Sequence, residues 1–306
     1  MPARPSLARL LLALLLLLPA APWQGSPRAE TWAIDVWEPP FQWQGEPRVG
    51  DYRPLAQASR PWRLCASYPH LKDSYWLSVN YGMVEEARRL GIHLEVGEAG
   101  GYPNLERQRS QIEGCVAAGA EALIVGTVSY DGLTDLMLAL SQRMPVVATV
   151  NDIADAGIAA KSLVSWVEMG RSIGRYFAGL HPAGTPAVKV AWFPGPAGAG
   201  WVSFIERGFA EGLRGSAAEI VVTKYGDTGT EIQLILIEEA LEERPDIDYI
   251  VGSAVTAEAA VSVLRARGLG GEIKVLADYF THGVYRGIKR GRILAAPTDS
   301  PAIQGR

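Results

Sequence analysis

The feature that most constrains the fold is a regular alternation of short apolar runs and helical segments that begins at residue 63. The apolar runs are rich in β-branched residues, as in 146–150 (VVATV), and the segments between them repeat apolar residues at helical spacing. Strands that alternate with helices of roughly ten or more residues predict a parallel sheet with crossover helices. The fold class is therefore α/β.

The alternation is interrupted at residues 151–165, where polar residues such as Asn151 and Asp155 replace the apolar ones. It then resumes and continues to a last short strand predicted at 293–296. We therefore predict two doubly wound parallel-sheet lobes joined by a hinge near residue 151, with a return crossing near 297–300. The predicted ranges are 62–150 with 298–306 for the first lobe (the N-lobe) and 151–297 for the second (the C-lobe).

The first 29 residues have the pattern of a secretory signal peptide. Arg4 and Arg9 supply positive charge, Leu10 to Leu18 form a leucine-rich run, and small residues follow. The run is shorter than the roughly 20 apolar residues of a membrane-spanning helix. We expect an exported mature protein with no membrane insertion after signal cleavage; an uncleaved signal anchor is the alternative.

Residues 30–61 contain several tryptophans among prolines, a composition that is not typical of a regular element. We predict an extended N-terminal arm that the tryptophans anchor on the surface of the following domain. The alternative is that the arm presents aromatic side chains to a partner, because Trp is frequent at interface hot spots. The tryptophans of the arm and its junction are Trp32, Trp37, Trp43 and Trp62.

Charge and motifs exclude several function classes. The formal net charge is −4, so no basic footprint indicates nucleic-acid binding. None of the four His lies in a metal-binding spacing, and no Gly-x-Ser-x-Gly motif occurs. Gly195, Gly198 and Gly200 do not follow the dinucleotide pattern, which favours a flexible loop. We expect no enzyme activity, no metal and no cofactor.

The two cysteines are Cys65, in the first predicted strand of the alternation, and Cys115, near the end of the second predicted helix. Export implies an oxidising compartment, in which disulfides persist. The second helix runs back toward the strand starts, so both residues are expected at one end of the sheet. A disulfide and two separate buried thiols both remain open.

The segment 71–82 (LKDSYWLSVNYG) is predicted to be a loop and a helix N-terminus that follow a strand. Ligands of open α/β sheets bind outside the carboxyl ends of the strands, where such loops lie. Asp73 or Ser74 can cap the helix, which leaves Tyr75 and Trp76 in its first turn. Two adjacent large aromatic residues at such a loop indicate a stacked ligand; packing in a lid or core is the alternative.

Several segments resemble the trimethylamine N-oxide-binding branch of the type I periplasmic-binding-protein family, and the resemblance spans about residues 62–306. The resemblance implies the type I fold, a periplasmic location and partnership with the periplasmic sensor domain of a membrane histidine kinase. It also implies that the family continues beyond this chain by a helix that returns to the N-lobe, so we expect the C-terminal part of that lobe to be missing. The segments are 64–83 (LCASYPHLKDSYWLSVNYGM), 98–102 (EAGGY), Trp166 with 169–170 (MG), 244–248 (RPDID) and 284–292 (VYRGIKRGR).

The resemblance also implies a ligand, trimethylamine N-oxide, whose methylated nitrogen suits aromatic faces and whose oxygen needs donors. We predict Trp76, Trp166 and Tyr279 as the walls of a cage, with Tyr75 and Asp73 near the pocket. Capping of the helix alone is the alternative role of Asp73. Asn151 and Asp278 are weaker candidates, placed only by their positions at strand ends.

Two other functions remain open at this stage. A transport binding protein for a sugar or a small amine would share the fold, and the fold alone does not decide between them. A sugar site would need several charged and amide side chains, whereas the segment 71–82 offers mostly aromatic ones. An α/β enzyme is disfavoured because no catalytic constellation is found.

Overall fold

A computed structural model describes residues 31–41 and 45–306. The chain divides into two compact units, one ending at Leu55 and the other running from Ala56 to Arg306. The predicted signal peptide and Trp43 lie outside the described residues. No helix among the described residues is long and apolar enough to span a membrane.

The first unit contains a two-stranded antiparallel hairpin. Strand β1 (Trp32–Val36) pairs with β2 (Arg48–Tyr52), and the rings of Trp32 and Tyr52 stack across the pair with centroids 5.8 Å apart. The prediction that this region has no regular element is therefore wrong. Its prolines fall between or after the two strands, so neither strand loses a ladder hydrogen bond to a proline.

The first lobe of the second unit is built on a five-stranded parallel sheet with the order β4-β3-β5-β6-β7. Its last strand, β7, pairs with β6, so the first lobe continues to Leu163 instead of ending at the boundary predicted near residue 151. The polar residues after 150 form the loop that leads into this short edge strand, which has too few apolar residues to be recognised. The elements are β3 (Arg63–Tyr68), α1 (Ser74–Leu90), β4 (His93–Glu98), α2 (Leu105–Ala117), β5 (Ala122–Val125), α3 (Thr134–Ser141), β6 (Val146–Val150) and β7 (Ala160–Leu163).

The second lobe is built on a four-stranded parallel sheet with the order β11-β10-β8-β9. The predicted strand at 293–296 is absent from this sheet, although the Leu294 amide donates to the Val275 carbonyl and the Ala277 amide to the Ala295 carbonyl. The elements are α4 (Trp166–Leu180), β8 (Val188–Gly195), α5 (Val202–Gly212), β9 (Ala218–Tyr225), α6 (Thr230–Glu243), β10 (Tyr249–Gly252), α7 (Ala254–Ala266), β11 (Lys274–Ala277) and α8 (His282–Lys289). Two parallel sheets with crossover helices confirm the predicted α/β class.

The chain then returns to the first lobe. A short helix, α9 (Pro301–Gly305), packs on α1 so closely that a Cβ at Gly82 would overlap the carbonyl oxygen of Ala302. A Cβ at Gly305 would likewise overlap the carbonyl oxygen of Val79. The segment after residue 296 therefore contributes to the first lobe, against the helix that carries Tyr75 and Trp76.

Helices α4 and α5 approach each other through glycines spaced four residues apart. A Cβ at Gly170 would overlap the carbonyl oxygen of Ile205, and a Cβ at Gly208 would overlap that of Val167. Gly174 and Gly212 continue the same contact one turn further on. Residues four apart share one helix face, so the two backbones can meet without intervening side chains.

Substitution of Gly170 by alanine is expected to lower the free energy of unfolding by about 1–3 kcal/mol, since the methyl group has to push the two helices apart. Gly179 in the same helix has no atom within 4 Å of its Cβ position, so Gly179→Ala is the matched control. It should raise stability by up to about 1 kcal/mol through helix propensity. Urea denaturation measures both; a Gly170→Ala protein as stable as the control would contradict the close approach.

A disulfide joins the first sheet to its neighbouring helix. Cys65 in β3 and Cys115 in α2 are bonded, with their Cα atoms 6.2 Å apart. Both residues are buried. Of the two alternatives left open by the sequence, the structure has the disulfide.

Candidate functional site

A small hollow lies between the two lobes, at the carboxyl ends of β3 and β6. Its empty space, including the part open to solvent, is about 240 Å³. The space left between the lining side chains is small, so any occupant is small. All five residues of the predicted site line it. The first lobe supplies Asp73, Tyr75, Trp76, Tyr102, Val150 and Asn151, and the second supplies Trp166, Trp201, Thr228 and Tyr279.

The N-terminus of α1 brings three of these residues to the hollow. Asp73 is the N-cap, and its Oδ1 accepts a hydrogen bond from the Trp76 amide at 3.0 Å. The cap fixes the start of the helix, so Tyr75 and Trp76 occupy its first turn, where they are buried. Asp73 therefore does cap the helix, and its carboxyl group also faces the hollow.

Four aromatic rings from both lobes form a box. The ring of Tyr279 stands nearly perpendicular to those of Tyr75, Trp166 and Trp201, at interplanar angles of 76°, 84° and 88°. The corresponding centroid distances are 5.3, 6.2 and 6.1 Å. Rings that meet at right angles turn several faces and edges toward a common space, as the walls of a box do. We call these four residues the aromatic box.

Trp76 lies apart from the aromatic box. Its ring packs on Tyr68, with centroids 5.3 Å apart, and covers Gly126 so closely that a Cβ there would overlap the ring. Trp76, which we predicted as a cage wall, therefore lines the hollow from the first lobe but is not part of the aromatic box. Trp201 takes that place, next to Trp166 and Tyr279.

The polar groups of three box residues are hydrogen-bonded within the protein. The indole Nε1 of Trp166 donates to the Val150 carbonyl at 2.9 Å, and that of Trp201 donates to the Tyr102 hydroxyl at 3.0 Å. The Tyr75 hydroxyl donates to Asp299 Oδ2 at 2.5 Å, in the segment that returns to the first lobe. These bonds hold the rings in fixed orientations and leave their faces and edges for contact with an occupant.

Val150 has an unusual backbone at the rim of the hollow. Its φ is +65°, a region that β-branched residues rarely adopt because of steric strain. This conformation ends strand β6 and places the Val150 carbonyl where the Trp166 indole can donate to it. Such strain is often found at functional sites, where surrounding contacts maintain it.

Polar contacts beside the hollow join the lobes. His70 Nε2 and Thr228 Oγ1 are 2.8 Å apart, and Lys72 Nζ lies 3.5 Å from Asp227 Oδ2. His70 is fully buried, and desolvation lowers its pKa to about 4, so the imidazole is neutral at pH 7. The structure therefore shows the two lobes closed on each other.

Asp73 is a buried carboxyl group with a perturbed pKa. Desolvation is the largest cause of its rise to about 6, and the charges of Asp227 and Glu258 add to it, while the amides of Trp76 and Tyr75 oppose it. A carboxyl group with this pKa exists in both forms near neutral pH, so it can accept a hydrogen bond or donate one.

The two weaker candidates differ in position. Asn151 lines the hollow, and its Nδ2 donates to the Tyr102 hydroxyl at 3.1 Å and to the Thr127 carbonyl at 2.7 Å. Asp278 is fully buried outside the lining, its carboxylate oxygens have no hydrogen-bond partner, and desolvation raises its pKa well above the usual value. Among the described residues, no group of three or more His, Cys, Asp or Glu could hold a metal ion.

Four lining residues were not predicted from the sequence: Val150, at the end of a predicted strand, and Trp201, Tyr102 and Thr228. Trp201 follows the glycine-rich loop after β8, and Tyr102 follows the glycines after β4. Both therefore follow a strand by only a few residues, the same signal that identified Tyr75. Thr228 follows β9 in the same way but has an ordinary side chain that gives no such signal.

The fold and the site define a class of protein that binds a small ligand between two α/β lobes. A profile of the family described as periplasmic binding proteins and sugar binding domain of the LacI family matches residues 61–303. The chain belongs to this family. It is a periplasmic binding protein and not an enzyme.

Particular relatives are similar over most of the chain. The periplasmic protein TorT of Escherichia coli (strain K12) is 42% identical over 249 residues, which are 81% of this chain and 71% of that protein. The solved complex of the TorS sensor domain and TorT in the presence of TMAO (trimethylamine N-oxide) matches with 41% identity and a TM-score of 0.70, covering 80% of this chain and 83% of that one.

A solved solute-binding protein of an ABC transporter from Bradyrhizobium sp. BTAi1 is also similar. It is 52% identical, with a TM-score of 0.71, and the match covers 89% of this chain and 82% of that chain. Bis-Tris is bound in that structure.

Proposed function

We propose that this protein binds trimethylamine N-oxide, or a closely related methylated amine, between its lobes and acts with the sensor domain of a TorS-like membrane histidine kinase. The signal would induce trimethylamine N-oxide respiration. The aromatic box is the observation that carries the proposal. It is contributed by both lobes, so an occupant would hold the lobes together.

The aromatic box suits a methylated nitrogen with positive charge. Aromatic faces attract such a group through the ring quadrupole, with about 0.5–2 kcal/mol per ring depending on desolvation. The three walls around Tyr279 are all buried, so they contribute at the upper end of that range. A sugar would instead need several hydrogen-bonding side chains, and most of the lining is aromatic.

The oxygen of an amine oxide needs a hydrogen-bond donor. The indole groups of Trp166 and Trp201 and the hydroxyl of Tyr75 are already bonded within the protein. Two candidate donors remain: Asp73 in its protonated form, with its raised pKa of about 6, and the hydroxyl of Tyr102, which accepts from Asn151 and Trp201 and keeps its own proton. Donation by Asp73 would be accompanied by proton uptake at neutral pH.

The relatives support this reading of the site. TorT is found in complex with the TorS sensor domain both without ligand and with TMAO, and the match covers 80% of this chain in each case. Partnership with a sensor domain is therefore our preferred function.

A transport function is the second candidate, because the relative with bound Bis-Tris is described as an ABC transporter solute-binding protein. Bis-Tris is a tertiary amine, so its nitrogen atom carries three carbon substituents, as the nitrogen atom of trimethylamine N-oxide does. A pull-down with a TorS-type sensor domain distinguishes them, since only the signalling function requires that complex.

Replacement of Tyr279 by alanine is expected to weaken trimethylamine N-oxide binding roughly tenfold or more, because the ring perpendicular to the other three is lost. Tyr279→Phe is the matched control, since it keeps the ring and should bind within a few-fold of the wild type. Isothermal titration calorimetry measures both, with betaine, choline and ribose as comparison ligands. Equal affinity of the alanine variant, or tighter binding of ribose, would contradict the proposed site.

A further inference from the structure

A cluster of cations covers the end of α8 in the second lobe, away from the residues that line the hollow. Arg286 and Lys289 lie in the last turn of the helix, Arg290 is its C-cap residue, and Arg292 lies two residues further on. Lys289 and Arg290 are three and four residues from Arg286, so both are neighbours of its side chain. All four are exposed. We call these four residues the α8 basic surface.

The α8 basic surface has no internal partner. Within the described part of the chain, no carboxylate oxygen lies within 4.0 Å of the charged nitrogens of these four residues, whereas the nearby Arg267 pairs with Glu238 and Glu242. Like charges three or four residues apart on a helix destabilise it by a few tenths of a kcal/mol per pair. Internal ion pairs therefore do not account for the cluster.

The helix dipole explains only part of this cluster of cations. A cation in the last turn of a helix is stabilising, which accounts for Arg286 or Lys289. The effect is confined to the last turn, and Arg292 lies past the helix end. The formal net charge of the chain is −4, so four cations within this short segment form a local excess of positive charge.

The composition of the surface indicates a protein partner. Tyr285 lies beside Arg286 and is 52% exposed, although Tyr is a large and mostly apolar side chain. Tyr and Arg are the residues most enriched at protein–protein hot spots. A lipid-binding helix would add a face of Trp, Phe or Leu to its Lys and Arg, and α8 contains none of these three apolar residues; the exposed Leu294 lies beyond its end.

We propose that the α8 basic surface docks on an acidic surface of the kinase sensor domain. The inference rests on the proposed partnership with that kinase. Complementary charges would raise the association rate and fix the orientation of the two proteins. Docking at α8 would leave the ligand site free, because none of these four residues lines the hollow.

The test uses the full mature protein and the TorS-type sensor domain of the same organism. The variant Arg286→Glu with Lys289→Glu is compared with Arg143→Glu and Arg214→Glu, two exposed arginines elsewhere that give the same change in net charge. Surface plasmon resonance should show roughly tenfold or greater loss of affinity for the α8 variant only, with a weaker salt dependence than the wild type. Calorimetry should show unchanged trimethylamine N-oxide binding.

Each other outcome has a definite meaning. Wild-type protein that fails to bind the sensor domain overturns the kinase partnership and this inference with it. Equal loss of affinity for the sensor domain in both double variants indicates a net-charge effect and overturns only the inference. Unchanged affinity in both variants overturns the inference as well. Loss of binding to anionic phosphatidylglycerol vesicles, with sensor-domain binding intact, would assign the surface to a membrane and overturn the inference.

Discussion

Replacement of Cys65 and Cys115 together by alanine is expected to lower the free energy of unfolding by about 4 kcal/mol. The bond connects residues 50 positions apart, and loss of such a long closed loop gives the unfolded chain much more conformational freedom. Both sites are buried, and the apolar alanine side chains suit them because they add no unsatisfied polar group. Urea denaturation under oxidising conditions measures the change.

Reduction provides the control for the disulfide prediction. A reductant should shift the denaturation midpoint of the wild type toward that of the double variant and leave the variant unchanged. A variant as stable as the oxidised wild type would show that the disulfide adds nothing to stability. Because export places the protein in an oxidising compartment, we expect the bond to be present in the cell.

Replacement of Asp73 by asparagine is expected to raise the stability of the ligand-free protein at pH 7.5 by up to about 3 kcal/mol. The folded state raises the pKa of Asp73 from 3.8 to about 6, and each pKa unit corresponds to about 1.4 kcal/mol. The folded state binds the proton more tightly than the unfolded state, so the stability contributed by this group falls as pH rises from about 4 to 6 and stays low above it. Asparagine carries no charge and is an equally good N-cap.

The difference between wild type and variant should therefore shrink as pH falls and vanish below about pH 3, where Asp73 is protonated in both the folded and the unfolded state. Thermal unfolding at several pH values measures it. Asp246→Asn is a control of opposite sign, because ion pairs with Lys189 and Arg244 lower the pKa of Asp246 to about 2. That variant should lose stability at neutral pH, and a pH-independent gain for Asp73→Asn would contradict the assigned burial effect.

Local patterns were sufficient for most of the second unit. The runs of β-branched residues predicted strands such as β6, and helical spacing predicted helices between the strands, as the structure has them. These signals are strong because each element buries an apolar face, so sequence periodicity and burial coincide. The positions of Tyr75 and Trp76 followed from the same logic, since a strand and a capped helix flank them.

Features that depend on long-range pairing were not predictable in this way. Strand β7 is short and half-polar, and only its partner β6 makes it a strand. The hairpin β1–β2 similarly depends on pairing across a long connection. Trp201 belongs to the aromatic box because the packing of α5 on α4 brings it to Trp166 and closure of the lobes brings it to Tyr102. Both contacts join residues far apart in sequence.

The close packing of α4 on α5 has a consequence for how a ligand would be captured. Trp166 begins α4 and Trp201 directly precedes α5, and the glycines let the two helix backbones meet, so these two indole rings would move as one body when the lobes separate. Tyr279 follows β11 of the same lobe and would move with them. An open molecule would therefore offer an arriving solute a corner of three preassembled rings, and Tyr75 on the other lobe would complete the enclosure.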